Sequence, residues 1–135
     1  MIIFRYVFER VANVKEIITK EDKDIASEFI FLNCLIENIE HDIQVFEKAP
    51  VKLNEPYKHL LEQTLKQIRA DIKDIRYKMK TLEIKVLDLV PKEVNVDFLE
   101  YKYVVRGYEH KFRFLKAALF NHQVRRMNKY LNKTY

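Results

Sequence analysis

The sequence predicts an all-α fold: a bundle of three long helices plus a shorter N-terminal helix, with an antiparallel hairpin around residues 20–90, in a single domain over residues 1–135. Three observations carry that prediction. Apolar residues recur at alternating spacings of three and four along most of the chain. One glycine and three prolines leave little material for tight turns. Those prolines fall at the seams of the periodic stretches, where an interior helical hydrogen bond is not needed. With 48% hydrophobic residues, nine of them Phe and eight Tyr, the chain can build a core without disulfides or a structural metal.

Residues 2–18 fit two periods. Ile2, Phe4, Tyr6 and Phe8 alternate as in a strand, whereas Phe4, Val7, Val11, Val14 and Ile18 keep helical spacing. The longer pattern decides for a helix, because no second strand is evident for pairing.

The next helix opens at Thr19, with Asp22 three residues on as the second half of a capping box. Its stripe is Ile25, Phe29, Leu32, Ile36, Ile39, Ile43 and Phe46. Within it, FIFLNCLI is apolar on nearly every side and requires more than one neighbour. The connection KAPVKLNE is short, so the following helix must return antiparallel. That helix takes Asn54 as N-cap, Glu55 and Pro56 in its first turn, and a heptad stripe of Leu61, Leu65, Ile68, Ile72, Ile75, Met79, Leu82, Val86 and Leu89.

A third long helix is read from Asn95 or Asp97 as cap through Phe98, Tyr101, Val105, Tyr108, Phe112, Leu115 and Leu119. Gly107 falls inside it, as a close crossing or a kink. Beyond Leu119 the stripe continues as Phe120, Val124, Met127 and Leu131, on a displaced face that implies a break near Asn121 or a different partner.

Charge is segregated. Residues 101–135 hold nine Lys or Arg against Glu109, while residues 21–47 hold eight Asp or Glu against Lys23. Packed side by side, the two segments compensate each other within the molecule. A basic stripe of Arg125, Arg126, Lys129 and Lys133, with His122 and Tyr130 beside it, is the candidate nucleic-acid contact. Against it stand a net charge of only +5 and the lack of any DNA- or RNA-binding motif.

Other chemistries find little support. A single glycine excludes phosphate-cradling and dinucleotide-binding loops. Cys34 alone allows no internal disulfide and no cysteine zinc cage, which fits a reducing compartment. MIIFRYVFER is interrupted by Arg5, and no apolar run approaches the ~18 residues of a membrane span, so a cytoplasmic protein without a membrane partner is expected. His41 comes level with His59 and Glu62, near Glu37 and Glu40, but the heptad turns both imidazoles outward, so no metal or other cofactor is predicted. Ser27 lacks a nucleophile elbow, Cys34 sits in apolar surroundings that raise a thiol pKa, and His110 beside Glu109 and His122 beside Asn121 stand alone, leaving no catalytic residue to name.

Self-association remains. With Leu65, Ile72, Met79 and Val86 as core positions, Asp71 with Arg76 and Lys78 with Glu83 set opposite charges at the flanks of a parallel coiled-coil homodimer. Ile84 and Leu87 widen the apolar face toward a second contact. The reading is a small cytoplasmic helical-bundle protein acting through protein contacts as scaffold, adaptor or regulator. A nucleic-acid-binding module comes second, and a metal-dependent enzyme third.

Overall fold

The computed structural model describes residues 18–134, so the helix expected over residues 2–18 lies, Ile18 apart, outside the described residues. The elements are α1 (Lys20–Lys48), α2 (Asn54–Thr81), β1 (Ile84–Val86), β2 (Lys92–Glu93), β3 (Phe98–Val105), β4 (Tyr108–Leu115) and α3 (Lys116–Thr134). The fold is therefore α+β, with an antiparallel sheet, and the all-α expectation is corrected.

Helix α1 opens with the reciprocal bonds of a capping box: the Asp22 amide donates to Thr19 Oγ1 at 3.1 Å and the Thr19 amide to Asp22 Oδ2 at 2.9 Å. Its partner α2 runs back along it, with Arg76 over the Phe29 ring, Arg69 bonded to Glu40 and Lys58 to Glu47. Asn54 is not the N-cap of α2; Leu53 holds that position without a side-chain bond. The Asn54 amide instead donates to the Phe46 and Ala49 carbonyls, which closes the short loop by satisfying the last turn of α1.

The heptad stripe of α2 ends at Leu82. Glu83 takes a left-handed backbone, φ 55°, and its amide bonds the Lys80 carbonyl at 3.3 Å, which stops the helix and redirects the chain into β1. Val86 thus belongs to a strand, and Leu89 lies exposed in the loop that follows.

The expected third helix is replaced over residues 98–115 by a hairpin. Eight residue pairs run from Phe98↔Leu115 to Val105↔Tyr108, joined by Arg106 and Gly107 at φ 48° and 85°. Two consecutive positive φ values make the tight turn whose twist matches its strands. Gly107 is neither crossing nor kink, because it supplies the second of those angles. The strand period wins here because Leu99, Tyr101, Tyr103 and Val105 all fall on one face, and aromatic and β-branched side chains fit a pleated surface.

β3 is the central strand. β4 covers one edge along its length, while β1 pairs at Tyr103–Val105 and β2 at Leu99 and Glu100 on the other. One sheet face, built from Leu99, Tyr101, Tyr103, Val105, Phe112 and Phe114 with Ile84 and Val86, packs on the helices. FIFLNCLI is covered from several sides as its composition requires: Phe29, Leu32 and Leu35 share a core with α2, while Ile30, Phe31 and Cys34 meet the sheet and α3. Among the described residues no helix is long and apolar enough to cross a membrane.

The turn is clasped to α1. Arg106 Nη2 bonds the buried Asp22 carboxylate at 2.6 Å and its Nη1 bonds the Leu82 carbonyl at 2.8 Å. Burial pushes the Asp22 pKa up, but the Arg106 bond and the Thr19 bonds outweigh it and hold the carboxyl below its usual value.

Gly107→Ala should destabilise by about 1 kcal/mol in denaturant titration, from backbone strain alone, because an added Cβ meets nothing within 4 Å. Asp22→Ala should cost about 2 kcal/mol through loss of the capping box and a charged hydrogen bond. The Asp22 contribution is fully present above the ordinary carboxyl value of 3.8 and is lost as pH falls through the lower folded value, so acid unfolding of Asp22→Asn should show a weaker pH dependence.

Candidate functional site

Helix α3 follows β4 directly and lies over α1, reaching α2 at Tyr130. Its positions 122, 126 and 130 are four apart and so share a face. His122 stacks on Phe31 with ring centroids 4.3 Å apart, Arg126 sits 4.5 Å over the same ring, and the Tyr130 hydroxyl donates to Asp71 of α2. Arg126 also grips Glu28 of α1 through Nε at 2.9 Å and through Nη2, while Asn38 of α1 bonds Gln123. The acidic and basic segments thus meet at Arg126–Glu28.

Between these three helices lies a cleft of about 510 Å³, lined by Glu28, Asp71, His122, Arg125, Arg126, Lys129 and Tyr130. It gathers three of the four cations of the basic stripe; the side chain at position 133 is outside the described ones. Arg126 is taken by Glu28 and Phe31, whereas Arg125 and Lys129 are exposed and make no ion pair among the described residues. Arg126 Nη1 donates to the His122 carbonyl at 2.9 Å and lies 3.4 Å from its Nδ1, a contact that suits the imidazole form with its proton on Nε2 because a guanidinium only donates. Burial first, then the charges of Arg126 and Arg125, hold the imidazole below its ordinary pKa, with Glu28 pulling the other way.

A second surface is the sheet face that no described helix covers. It presents Lys85, Lys92, Lys102, Lys111 and Arg113 around Glu100 and Glu109. Lys102 and Lys111 stand directly opposite each other in the β3–β4 register. Glu100 is 4% exposed and bonded by Arg113 Nε at 3.0 Å. That bond first, and then the nearby Lys111, Arg113 and Lys92 charges, hold its carboxyl below the usual range against the opposing effect of burial. Apolar side chains border these cations: Phe98 pairs with Leu115, and Leu87, Val90 and Val96, in the loops on either side of β2, are 48%, 74% and 82% exposed. Reading residues 98–115 as a helix hid this surface; the alternation about the Arg106–Gly107 turn is the signal that exposes it.

The remaining candidates disperse. His41 and His59 are exposed and bond their own helix neighbours, Asp42 at 3.6 Å and Gln63 at 3.0 Å. No three His, Cys, Asp or Glu side chains gather into a metal-binding group among the described residues. Cys34 Sγ lies 3.3 Å from the Tyr101 hydroxyl, and burial raises its pKa. His110 meets the edge of the Tyr103 ring on the sheet rather than standing on a helix. The coiled-coil reading of α2 is corrected: its stripe is filled by α1, Asp71 is bonded to Tyr130, Arg76 sits on Phe29, and Val86 is not helical. Ile84 is buried in β1, so its second contact is the sheet itself.

The profile of a family described as YhjD protein matches residues 17–135, and the chain belongs to that family. It is 27% identical over 100 residues to a Bacillus subtilis (strain 168) protein named Uncharacterized protein YhjD, a match spanning 74% of this chain and 81% of that one. No solved structure matches. Neither description names an activity, so the functional reading rests on geometry.

The His122 shift has a testable sign. As pH falls below the ordinary imidazole value of 6.5, the unfolded chain takes up a proton that the folded chain resists, so the His122 contribution is present above that value and lost below it. Thermal unfolding from about pH 7 to about pH 5 should show a decline in Tm that is smaller in His122→Gln.

Proposed function

We propose that this YhjD-family protein works by surface contact, the sheet face that no described helix covers receiving an acidic, partly apolar segment of a partner protein. One observation carries the reading. Lys102 and Lys111 face each other across β3 and β4, an arrangement that destabilises a hairpin, and neither has an ion-pair partner among the described residues. A partner carboxylate relieves that repulsion. Leu87 beside Lys102, and Phe98 with Leu115 beyond the Glu100–Arg113 pair on the same face, give such a segment apolar contact, and charged rim with apolar patch is the usual composition of a docking surface. Lys92 and Arg113 extend the positive field on either side of Glu100. An adaptor or regulator in the cytoplasm, where a lone unpaired Cys34 is at home, fits this surface.

The nucleic-acid reading through Arg125, Arg126, Lys129 and Lys133 has less support, because Arg126 is spent on Glu28 and Phe31. A metal-dependent enzyme has no ligand cluster behind it among the described residues.

Fluorescence anisotropy with a synthetic peptide alternating Glu and Leu tests the proposal. Binding should saturate, weaken with added salt, and fall on the order of tenfold or more in Lys102→Glu/Lys111→Glu, with Arg125→Ala unaffected. Tighter binding of DNA or RNA than of the peptide, or equal binding by the charge-reversed variant, would overturn it.

A further inference from the structure

We infer that the cleft between α1, α2 and α3 binds a phosphate monoester, with the phosphate held by Arg125 and Lys129 and a hydrogen bond from neutral His122. The inference uses residues other than those of the sheet face, so either reading can fail without the other.

Some of the charged groups in the cleft are already paired, and others are not. Glu28 is gripped by two nitrogens of Arg126, which meets its charge, whereas Asp71 accepts the Tyr130 hydroxyl and keeps its own. Arg125 and Lys129 sit four residues apart on α3, line the same cleft, and form no ion pair among the described residues. These two cations outweigh Asp71, the one carboxylate of the lining that no cation meets among the described residues, so the cleft favours an anion, and the several oxygens of a phosphate monoester can meet both at once. Arginine presents a planar fork that fits two phosphate oxygens, and lysine adds a point charge.

His122 completes the donor set. Its Nδ1 lies beside Arg126 and its ring is pinned on Phe31, so in the form with the proton on Nε2 that nitrogen is its one ring donor. A neutral imidazole donates without repelling the neighbouring guanidinium groups.

Size decides between free phosphate and an ester. At about 510 Å³ the cleft lies within the range of small-molecule pockets, roughly 300–1,000 Å³, and leaves room beyond the phosphate for an organic group.

Glycerol 3-phosphate titrated into the full chain, with the His122 imidazole resonances followed by NMR, tests the assignment. The resonances should shift saturably, and Arg125→Ala/Lys129→Ala should weaken binding on the order of tenfold, whereas Lys102→Ala/Lys111→Ala should leave it unchanged. The unmodified chain gives a second measurement: ligand should protect Lys129 from acetylation. The inference is overturned by absence of a saturable shift, by equal affinity in the Arg125→Ala/Lys129→Ala variant, or by unprotected Lys129. Saturation by inorganic phosphate but not by glycerol 3-phosphate would overturn the ester assignment.

Discussion

The structure depends on one constraint: the middle of α1 is apolar around nearly its whole circumference and cannot be left in water. Ile30 is fully buried and Phe31 is 4% exposed, yet they point away from the side that packs on α2. Each large side chain so covered contributes roughly 2–3 kcal/mol, enough to make an uncovered face untenable in a domain of marginal stability. A helical hairpin alone covers one side. The sheet and α3 cover the rest, and Phe31 records both, with Phe114 of β4 at its edge, His122 stacked on one face, and Arg126 lying over its ring.

That requirement fixes where charge can go. Arg106 and Arg126 are drawn in against α1 because their flat guanidinium groups can pair with Asp22 and Glu28 while lying on apolar surroundings. The Arg106 clasp also bears on backbone geometry. A non-glycine residue at φ 48° is unfavourable by itself, and the bonds to Asp22 and the Leu82 carbonyl hold it there. The turn, the N-terminus of α1 and the end of α2 are thereby joined at one point, which sets the sheet against the helices.

How much of this was legible follows from the periods involved. Thr19 and Asp22 announced the start of α1, and FIFLNCLI announced its several neighbours, because capping and all-round apolarity are local facts. The hairpin was not read because Phe98, Tyr101, Val105, Tyr108 and Phe112 satisfy a spacing of three and four while Tyr101, Tyr103 and Val105 satisfy a spacing of two. Over such a length the two periods share many residues. The deciding evidence was Arg-Gly between two aromatic runs, which lacks the Asn or Asp that usually marks such a turn. Arg106 replaces their local backbone bonds with a contact 84 residues away, and no reading of neighbours can see that distance. The same overlap hid the end of α2, where Glu83 adopts a left-handed conformation more often taken by glycine.

Charge segregation in the sequence was real, but its meaning was only half electrostatic compensation. Of the cations after residue 100, Arg106, Arg113, Lys116 and Arg126 meet carboxylates, at Asp22, Glu100, Glu93 and Glu28. Lys102, Lys111, Arg125 and Lys129 are exposed and form no ion pair among the described residues. They do not scatter: the first two sit together on the open sheet face and the other two on one wall of the interhelical cleft. Internal pairing consumes the cations that the core can reach, and the geometry of β4 running into α3 distributes the remainder to opposite uses. Sequence alone counts them as one basic segment. The fold separates them between a flat surface, the place of the proposed extended partner, and a concave one, the place of the proposed small anion.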